Sequence, residues 1–410
     1  MKTVFFDCHQ PLLHSAAGYL VRQFYDADRQ RLDMRRAVLA LPGRRAINRL
    51  EEILAETAEK LDPAWYPPEF LTVGDLPEKF YKQRYALADE LTQCFAWLNA
   101  ADQFDEEYPD MFRGLIPNPP KKEDLNARLA LGQMFAGFHR ELAGDMLDFS
   151  SAAEICRSIP GLDSEVVRWE TLARLEQKYL AKLDSLHLWD KQAARLFAIE
   201  RQNSEEYRQI LDQYEQSGTQ FLLIGLVDLN KEQKSILRKF AKLVTILIFA
   251  PENTKDRFDE FGCLIPEKWQ NASLRLQDEQ ICMAGSVDEQ AKTVLRCLAS
   301  MNNSRESKLA PSEMTVGVPD KQVVPALTQQ FDLTECKARL VEGTSVRQTS
   351  VYRFLETLQK YLDNPSFAAA AGLLRHPDLE TRLSKELSLP NPDGGMAENL
   401  DRCSMRFMPN

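Results

Sequence analysis

The sequence has 410 residues, of which 44% are hydrophobic, so it is long enough for about two or three domains with real cores. Its 51 Lys and Arg residues against 61 Asp and Glu residues give a net charge of -10. That charge argues against a free-standing, non-specific DNA-binding protein but leaves room for a local basic groove.

No apolar run in the sequence approaches the roughly 20 residues that span a bilayer. Met1, Lys2 and Thr3 lead straight into a predicted strand instead of a signal peptide. We therefore expect a cytoplasmic protein with no membrane partner.

The eight cysteines and five histidines carry no metal-binding pattern. No Cys-x-x-Cys pair occurs, and Cys263, Cys282 and Cys297 are too dispersed to suggest a metal site. We predict that the cysteines are buried, reduced thiols, that the histidines are packed or solvated, and that the chain holds no cofactor.

The first 75 residues alternate between strand and helix patterns. Continuous apolar runs predict strands at Thr3–Phe6 and Ala37–Leu41, and Phe70–Val73 predicts another. Helical spacing of apolar residues follows the first strand at Pro11–Asp26 and the second strand after Arg44. This order predicts an α/β fold with a parallel sheet.

Residues 76–217 have apolar residues at helical spacing and no strand-like runs, which predicts an all-helical insertion. We expect its acidic segment Asp102–Asp110, which includes Asp105, Glu106 and Glu107, to be a solvated loop.

The segment Gln220–Pro251 is the strongest single signal in the chain. Phe221–Val227 and Val244–Phe249 are short, unbroken apolar runs, as expected of strands buried on both faces of a parallel sheet. Asn230 opens a helix between them. The whole segment predicts a right-handed parallel crossover.

The second half of the chain predicts a further α/β domain. Gln280–Ala284 and Met314–Val318 are strand candidates, and helical patterns follow each of them. The final segment, Ser388–Asn410, has little periodicity, so we expect an incomplete domain there. The predicted boundaries are 1–75 and 218–278 for the first α/β domain, 76–217 for the insertion, and 279–410 for the second α/β domain.

The chemistry of a nucleotide-hydrolysing motor is largely missing. The strand-turn-helix at Val38–Leu50 has the setting of a phosphate-binding loop, but it has one glycine, no Gly-Lys pair and no Ser or Thr. The predicted strand Phe221–Val227 is followed by one carboxylate, that of Asp228, and then by the apolar Leu229. Such motors use a pair of carboxylates at this place. These departures argue against ATP hydrolysis by this chain. Arg44 and Arg45 either attract an anion at the helix N-terminus or form a capping turn with solvated side chains.

Several stretches in order resemble the helicase-like region of the B subunit of AddAB-type helicase-nucleases, also called RexB. AVLALPGRRAINRLEEIL is similar to that family's first strand and Arg-rich turn, PPEFLTVGDLPEKF to the next segment, and RYALADELTQCFAWLN to the start of the insertion. FLLIGLVDLNKEQKSILRKFAKLVTILIFAP resembles a decayed Walker B strand and its crossover. SVDEQAKTVLRCLASM, LAPSEMTVGVPDKQVVPALTQQF and EGTSVRQTSVYRFLETLQKYL resemble the opening of a second motor-like domain.

The resemblance implies decayed P-loop motor domains that hold DNA while an AddA-type partner hydrolyses ATP. Family members usually continue into a PD-(D/E)xK nuclease domain, for which this chain has no matching residues. The resemblance thus suggests a non-catalytic DNA-processing protein of double-strand-break repair that binds a single strand or a duplex end.

Two other functions stay open at this point. The chain is alternatively the N-terminal part of an active PD-(D/E)xK exonuclease subunit, or a protein-binding scaffold on a decayed motor fold. The local charge predicts a DNA-binding groove formed by Arg35, Arg36, Arg44, Arg45 and Arg49.

Overall fold

The computed structural model describes residues 1–61, 65–201, 204–270, 272–273, 276–303, 309–310, 314–334, 336–341, 343, 345–386 and 396–407. The chain divides into two compact units, Met1–Ser273 and Leu274–Asn410.

The strands of the first unit are β1 (Lys2–Phe6), β2 (Tyr25–Asp26), β3 (Arg31–Leu32), β4 (Ala37–Leu41), β5 (Glu69–Thr72), β6 (Ala86–Leu87), β7 (Leu188–Trp189), β8 (Gln220–Ile224) and β9 (Val244–Phe249). Its helices are α1 (Leu12–Phe24), α2 (Arg44–Leu61), α3 (Glu90–Glu107), α4 (Pro109–Leu115), α5 (Leu125–Gly144), α6 (Phe149–Arg157), α7 (Asp163–Ser185), α8 (Lys191–Glu200), α9 (Glu205–Ser217), α10 (Lys231–Lys239) and α11 (Pro266–Trp269).

A five-stranded sheet in the order β1-β9-β8-β4-β5 forms the centre of the first unit. Every neighbouring pair in it is parallel, and the predicted mixed α/β class with a parallel sheet is confirmed. Strand β8 ends at Ile224, earlier than the predicted Val227, because Gly225 turns the chain with a φ of 65°. Asn230 caps α10 as predicted, and its side chain and that of Gln233 form a reciprocal capping box.

The central strands β9, β8 and β4 are largely buried on both faces, which is why they are mainly apolar. Leu39 and Leu41 pack with α1 and α2 on one face, whereas Val38 and Ala40 pack with α10 on the other. On the α10 face, the ring centroid of Phe80 lies 4.8 Å from that of Phe221 and 4.3 Å from that of Phe240.

The helices α3 to α9 occur between β5 and β8 along the chain. Helices α3 to α7 share a core around Trp97, whereas Tyr207 of α9 packs in the core of the sheet. The prediction of an all-helical insertion is wrong in one detail, because β6 and β7 pair there in parallel. The predicted acidic loop is also wrong: Asp105, Glu106 and Glu107 form the last turn of α3. Phe104 in that turn is fully buried, Asp105 is half-buried, and Glu106 and Glu107 are exposed.

The second unit contains α12 (Val287–Asn303), α13 (Val324–Leu333), α14 (Ser350–Asp363), α15 (Phe367–Leu374), α16 (Pro377–Glu386) and α17 (Met396–Phe407). The predicted strands at Gln280–Ala284 and Met314–Val318 are wrong, since neither segment pairs with another in the described residues of this unit. Gln280–Ala284 is exposed instead of buried, so it lacks the packing that a central strand needs. Of the predicted irregular segment, residues 396–407 are helical, and residues 388–395 and 408–410 lie outside the described ranges.

Within the described ranges, no helix combines the length and the apolar character needed to cross a bilayer.

A buried polar network holds α5, α7 and α8 together. The His139 ring is 5% exposed and lies with Nδ1 2.8 Å from Glu176 Oε1 and Nε2 2.9 Å from Asp190 Oδ1. Tyr179 donates its hydroxyl proton to Asp190 Oδ2 at 2.7 Å, and Trp97 stacks on the Tyr179 ring at 4.0 Å. Burial lowers the pKa of His139, but the hydrogen bonds to Asp190 and Glu176 outweigh it and raise the pKa to about 10.

We predict that His139→Gln lowers the free energy of unfolding by about 3–5 kcal/mol at pH 7, because it leaves two buried carboxylates without their cation. The raised pKa means that this stabilisation is complete below the ordinary pKa of 6.5 and is lost as the pH rises through about 10. Urea unfolding of both proteins between pH 7 and 10 measures it.

The control is His14→Gln, at an exposed position on α1. Equal urea midpoints for the two variants would show that the His139 network contributes nothing to stability.

Candidate nucleic-acid interface

The order of the strands creates a topological switch point at the carboxyl edge of the sheet. The chain leaves β4 through α2 towards β5, but it leaves β8 through α10 in the opposite direction towards β9. Strands β4 and β8 are neighbours, so the loops that follow them separate to opposite faces. Ligands of open α/β sheets bind at such switch points.

The loop after β4 carries two of the predicted arginines. Arg44 and Arg45 begin α2 and are exposed, while Ile47 and Leu50 are buried and fix the helix against the sheet. In the described part of the chain, neither arginine forms an ion pair with a carboxylate. Their guanidinium groups and the positive end of the helix dipole therefore lie together at one exposed position, where their electrostatic attractions for an anion add.

The loop after β8 is closed by packing. Gly225 donates its N–H to the Leu247 carbonyl at 3.0 Å, and a methyl group at its Cα would collide with the Leu12 side chain. The first residue of α1 therefore lies directly on this turn. Glycine fits this position because it leaves room for the Leu12 side chain and because it readily adopts the positive φ of the turn.

Asp228 follows as a single exposed carboxylate, and its neighbour Leu229 is buried. The nearby ion pair is Lys234 with Asp259, whose Nζ and Oδ2 atoms lie 2.8 Å apart. Burial and the neighbouring Asp259 raise the pKa of the Cys263 thiol to about 12. Among the residues that the structure describes, no group of three His, Cys, Asp or Glu side chains is arranged to hold a metal ion.

The other three predicted arginines lie in different surroundings. Arg35 and Arg36 precede β4, so they lie at the amino edge, roughly 15 Å from the carboxyl edge at about 3.3 Å per strand residue. Arg35 binds Asp33 through two hydrogen bonds of 2.9 and 2.6 Å, and its guanidinium lies 4.4 Å from the Tyr66 ring centroid. The hydrogen bond to Arg35 lowers the pKa of Asp33 to about 2. Arg49 pairs with Glu52 at 2.8 Å on α2.

The structure therefore brings Arg44 and Arg45 together and places Arg49 one turn further along the same helix. It does not bring Arg35 and Arg36 to them.

No protein-family model matches this chain, and no curated protein matches its sequence.

A buried ion-pair cluster that sequence reasoning missed lies beside α10. Arg195 on α8 is 4% exposed and binds both carboxylate oxygens of Glu78, at 2.7 and 2.9 Å. Lys191 adds an ion pair with Asp75 at 2.9 Å. The one signal of this cluster in the sequence is that Arg195 lies on the same face of α8 as the apolar residues Ala194 and Ala198.

Glu232, in the first turn of α10, faces the same arginine. Its Oε1 lies 3.2 Å from Arg195 Nη1, but neither carboxylate oxygen has a hydrogen bond and the residue is fully buried. Burial raises the pKa of Glu232 to about 7; Arg195 opposes this shift and Glu78 adds to it. Glu232 thus changes charge near neutral pH, at the helix that follows the β8 loop.

A Ser-His-Asp grouping occurs in the second unit. The Ser350 hydroxyl donates to Asp378 Oδ2 at 2.8 Å, and His376 Nε2 donates to the Ser350 carbonyl at 3.0 Å. Because Nε2 carries its proton towards a carbonyl, it does not accept the proton of the Ser350 hydroxyl. The Ser350 hydroxyl is therefore not activated as a nucleophile. The hydrogen bonds of this grouping join α14 to α16.

We predict that Glu232→Gln removes a pH-dependent loss of stability. The raised pKa means that protonated Glu232 contributes fully to the free energy of unfolding below the ordinary pKa of 4.5. This contribution is lost as the pH rises through about 7. Relative to the natural chain, the variant should gain up to about 3 kcal/mol in the free energy of unfolding between pH 5 and 8. Urea unfolding at both pH values measures the gain.

The matched control is Glu206→Gln, which stands at the same second position of its helix, α9, but is exposed. A gain of similar size in the control would contradict the assignment to Glu232.

Proposed function

We propose that this chain is a non-catalytic, helicase-like DNA-processing protein of double-strand-break repair, like the B subunits that it resembles in sequence. The observation that carries the proposal is the pair Arg44 and Arg45, exposed and without carboxylate partners in the described residues, at the switch point of a parallel sheet.

The chemistry of this pair suits a phosphate backbone. Two guanidinium groups at a helix N-terminus bind phosphate oxygens through charge-assisted hydrogen bonds. The chain as a whole carries a net charge of -10, so DNA is attracted locally and not by the overall field. A single strand or the open end of a duplex is the ligand that such a local contact suits best.

The same surroundings support a non-catalytic role. Asp228 is a single carboxylate, the loop after β4 has no lysine for the phosphates, and Leu12 covers the turn after β8. In our proposal an AddA-type helicase subunit hydrolyses ATP, and this chain holds the DNA.

We predict that the double reversal Arg44→Glu with Arg45→Glu weakens binding to a fluorescent oligothymidylate roughly tenfold or more at low salt. Loss of two phosphate contacts should also reduce the slope of log K against log salt by about 1.4. Fluorescence anisotropy over a salt series measures both quantities.

Two further variants make the test specific. Arg113→Glu with Arg140→Glu gives the same change of charge on exposed helical positions and should leave affinity nearly unchanged. Arg35→Glu with Arg36→Glu tests the amino edge, where we expect no change in salt slope. An unchanged affinity in the Arg44 and Arg45 variant would refute the assigned interface, and no binding by the natural chain at low salt would refute the proposed function.

A further inference from the structure

Two cysteines of the second unit lie side by side on the surface. The Sγ atoms of Cys282 and Cys297 are 3.8 Å apart, and both residues are exposed. The prediction that the cysteines are buried is therefore wrong for this pair, and also for Cys8 and Cys336, although Cys94 and Cys263 are buried. Sequence spacing missed the pair because 15 residues separate its members.

The local chain geometry explains why the two sulfurs meet. Cys297 is ten residues into α12, which at about 1.5 Å per residue places it about 15 Å from Val287. The five residues from Cys282 to Val287, at about 3.3 Å each in an extended chain, span a similar length in the reverse direction. The exposed segment thus runs back along the helix.

Hydrogen bonds at the start of α12 stabilise this reversal. Gly285 donates its N–H to Glu289 Oε2 at 2.8 Å, and Glu289 donates its own N–H to Ser286 Oγ at 3.2 Å. The helix itself is held through Ala291, which is fully buried against Val323 and Leu327. Cys297 is therefore on a helix that packing holds in place, and Cys282 lies three residues before the turn that these hydrogen bonds stabilise.

We propose that Cys282 and Cys297 form a redox-active thiol pair that is oxidised to a disulfide by small disulfides such as oxidised glutathione. A disulfide bond is about 2.05 Å long, so the sulfur atoms, now 3.8 Å apart, need to approach by about 2 Å.

The reaction balances as two thiol–disulfide exchanges. The Cys282 thiolate attacks one sulfur of the small disulfide, which forms a mixed disulfide and releases one thiolate. Cys297 then loses its proton and attacks the Cys282 sulfur, which forms the internal disulfide and releases the second thiolate. The protein loses two electrons and two protons, and the small disulfide is reduced to two thiols.

The contact between the two sulfurs raises the pKa of the Cys297 thiol, and either sulfur can donate the hydrogen bond. We assign Cys282, which lies in the exposed segment before α12, as the first nucleophile and Cys297 as the sulfur that resolves the mixed disulfide. This inference is independent of the DNA interface, because Arg44 and Arg45 belong to the first unit.

The test is incubation of the reduced full chain with oxidised glutathione, followed by thiol counting and peptide mass mapping under non-reducing conditions. We expect two thiols to be lost per chain, a linked pair of peptides that contain Cys282 and Cys297, and a mass decrease of about 2 Da. Excess dithiothreitol should restore both thiols.

Single substitutions identify the roles of the two sulfurs. Cys282→Ser should abolish the reaction at this site, whereas Cys297→Ser should accumulate a glutathione adduct on Cys282. Cys336→Ser, at another exposed cysteine of the same unit, is the matched control and should leave the linked peptides unchanged. Circular dichroism confirms that each variant is folded. Independent glutathione adducts on both cysteines, or no reaction in the natural chain, would overturn the proposal.

Discussion

The parallel pairing of β4 with β8 is the constraint on which the first unit depends. It joins residues 37–40 to residues 220–223 and so brings together two segments that the whole helical insertion separates in sequence. Because the connections from the two strands run in opposite directions, this one pairing defines both faces of the sheet and the switch point at its carboxyl edge. Arg44 and Arg45 share an edge with Asp228 for this reason alone.

Helix α8 connects the insertion to the sheet through buried charge. At its N-terminus Asp190 accepts hydrogen bonds from His139 and Tyr179, and one turn later Arg195 binds Glu78. Burial of these ions is costly unless each has a partner, so the pairs specify one arrangement of α8 more than they add net stability. Glu232 is the exception, since its carboxylate has no hydrogen bond and its pKa is raised to about 7.

The exposed groups suggest two separate chemistries. The carboxyl edge of the sheet carries two exposed arginines, Arg44 and Arg45, whereas at the amino edge Arg35 pairs with Asp33 and lies against the Tyr66 ring. In the second unit the exposed sulfurs of Cys282 and Cys297 lie close enough to react with each other. What an arginine or a cysteine can do therefore depends on the residues that surround it in the folded chain. Composition alone does not distinguish a paired arginine from an exposed one, or an isolated cysteine from one beside a second cysteine.

The sequence by itself determined the strands that are buried on both faces, because unbroken apolar runs such as Ala37–Leu41 and Val244–Phe249 have no other stable position. It also determined the start of α10, since the Asn230 cap is a local interaction. Only the tertiary structure decided that Arg35 lies far from Arg44, that Arg195 is buried, and that Cys282 meets Cys297. Those outcomes depend on which strands pair and which faces pack, and local periodicity contains no information about partners that are distant along the chain. The strands predicted at Gln280–Ala284 and Met314–Val318 failed for the same reason: a strand needs a partner, and apolar character alone does not supply one.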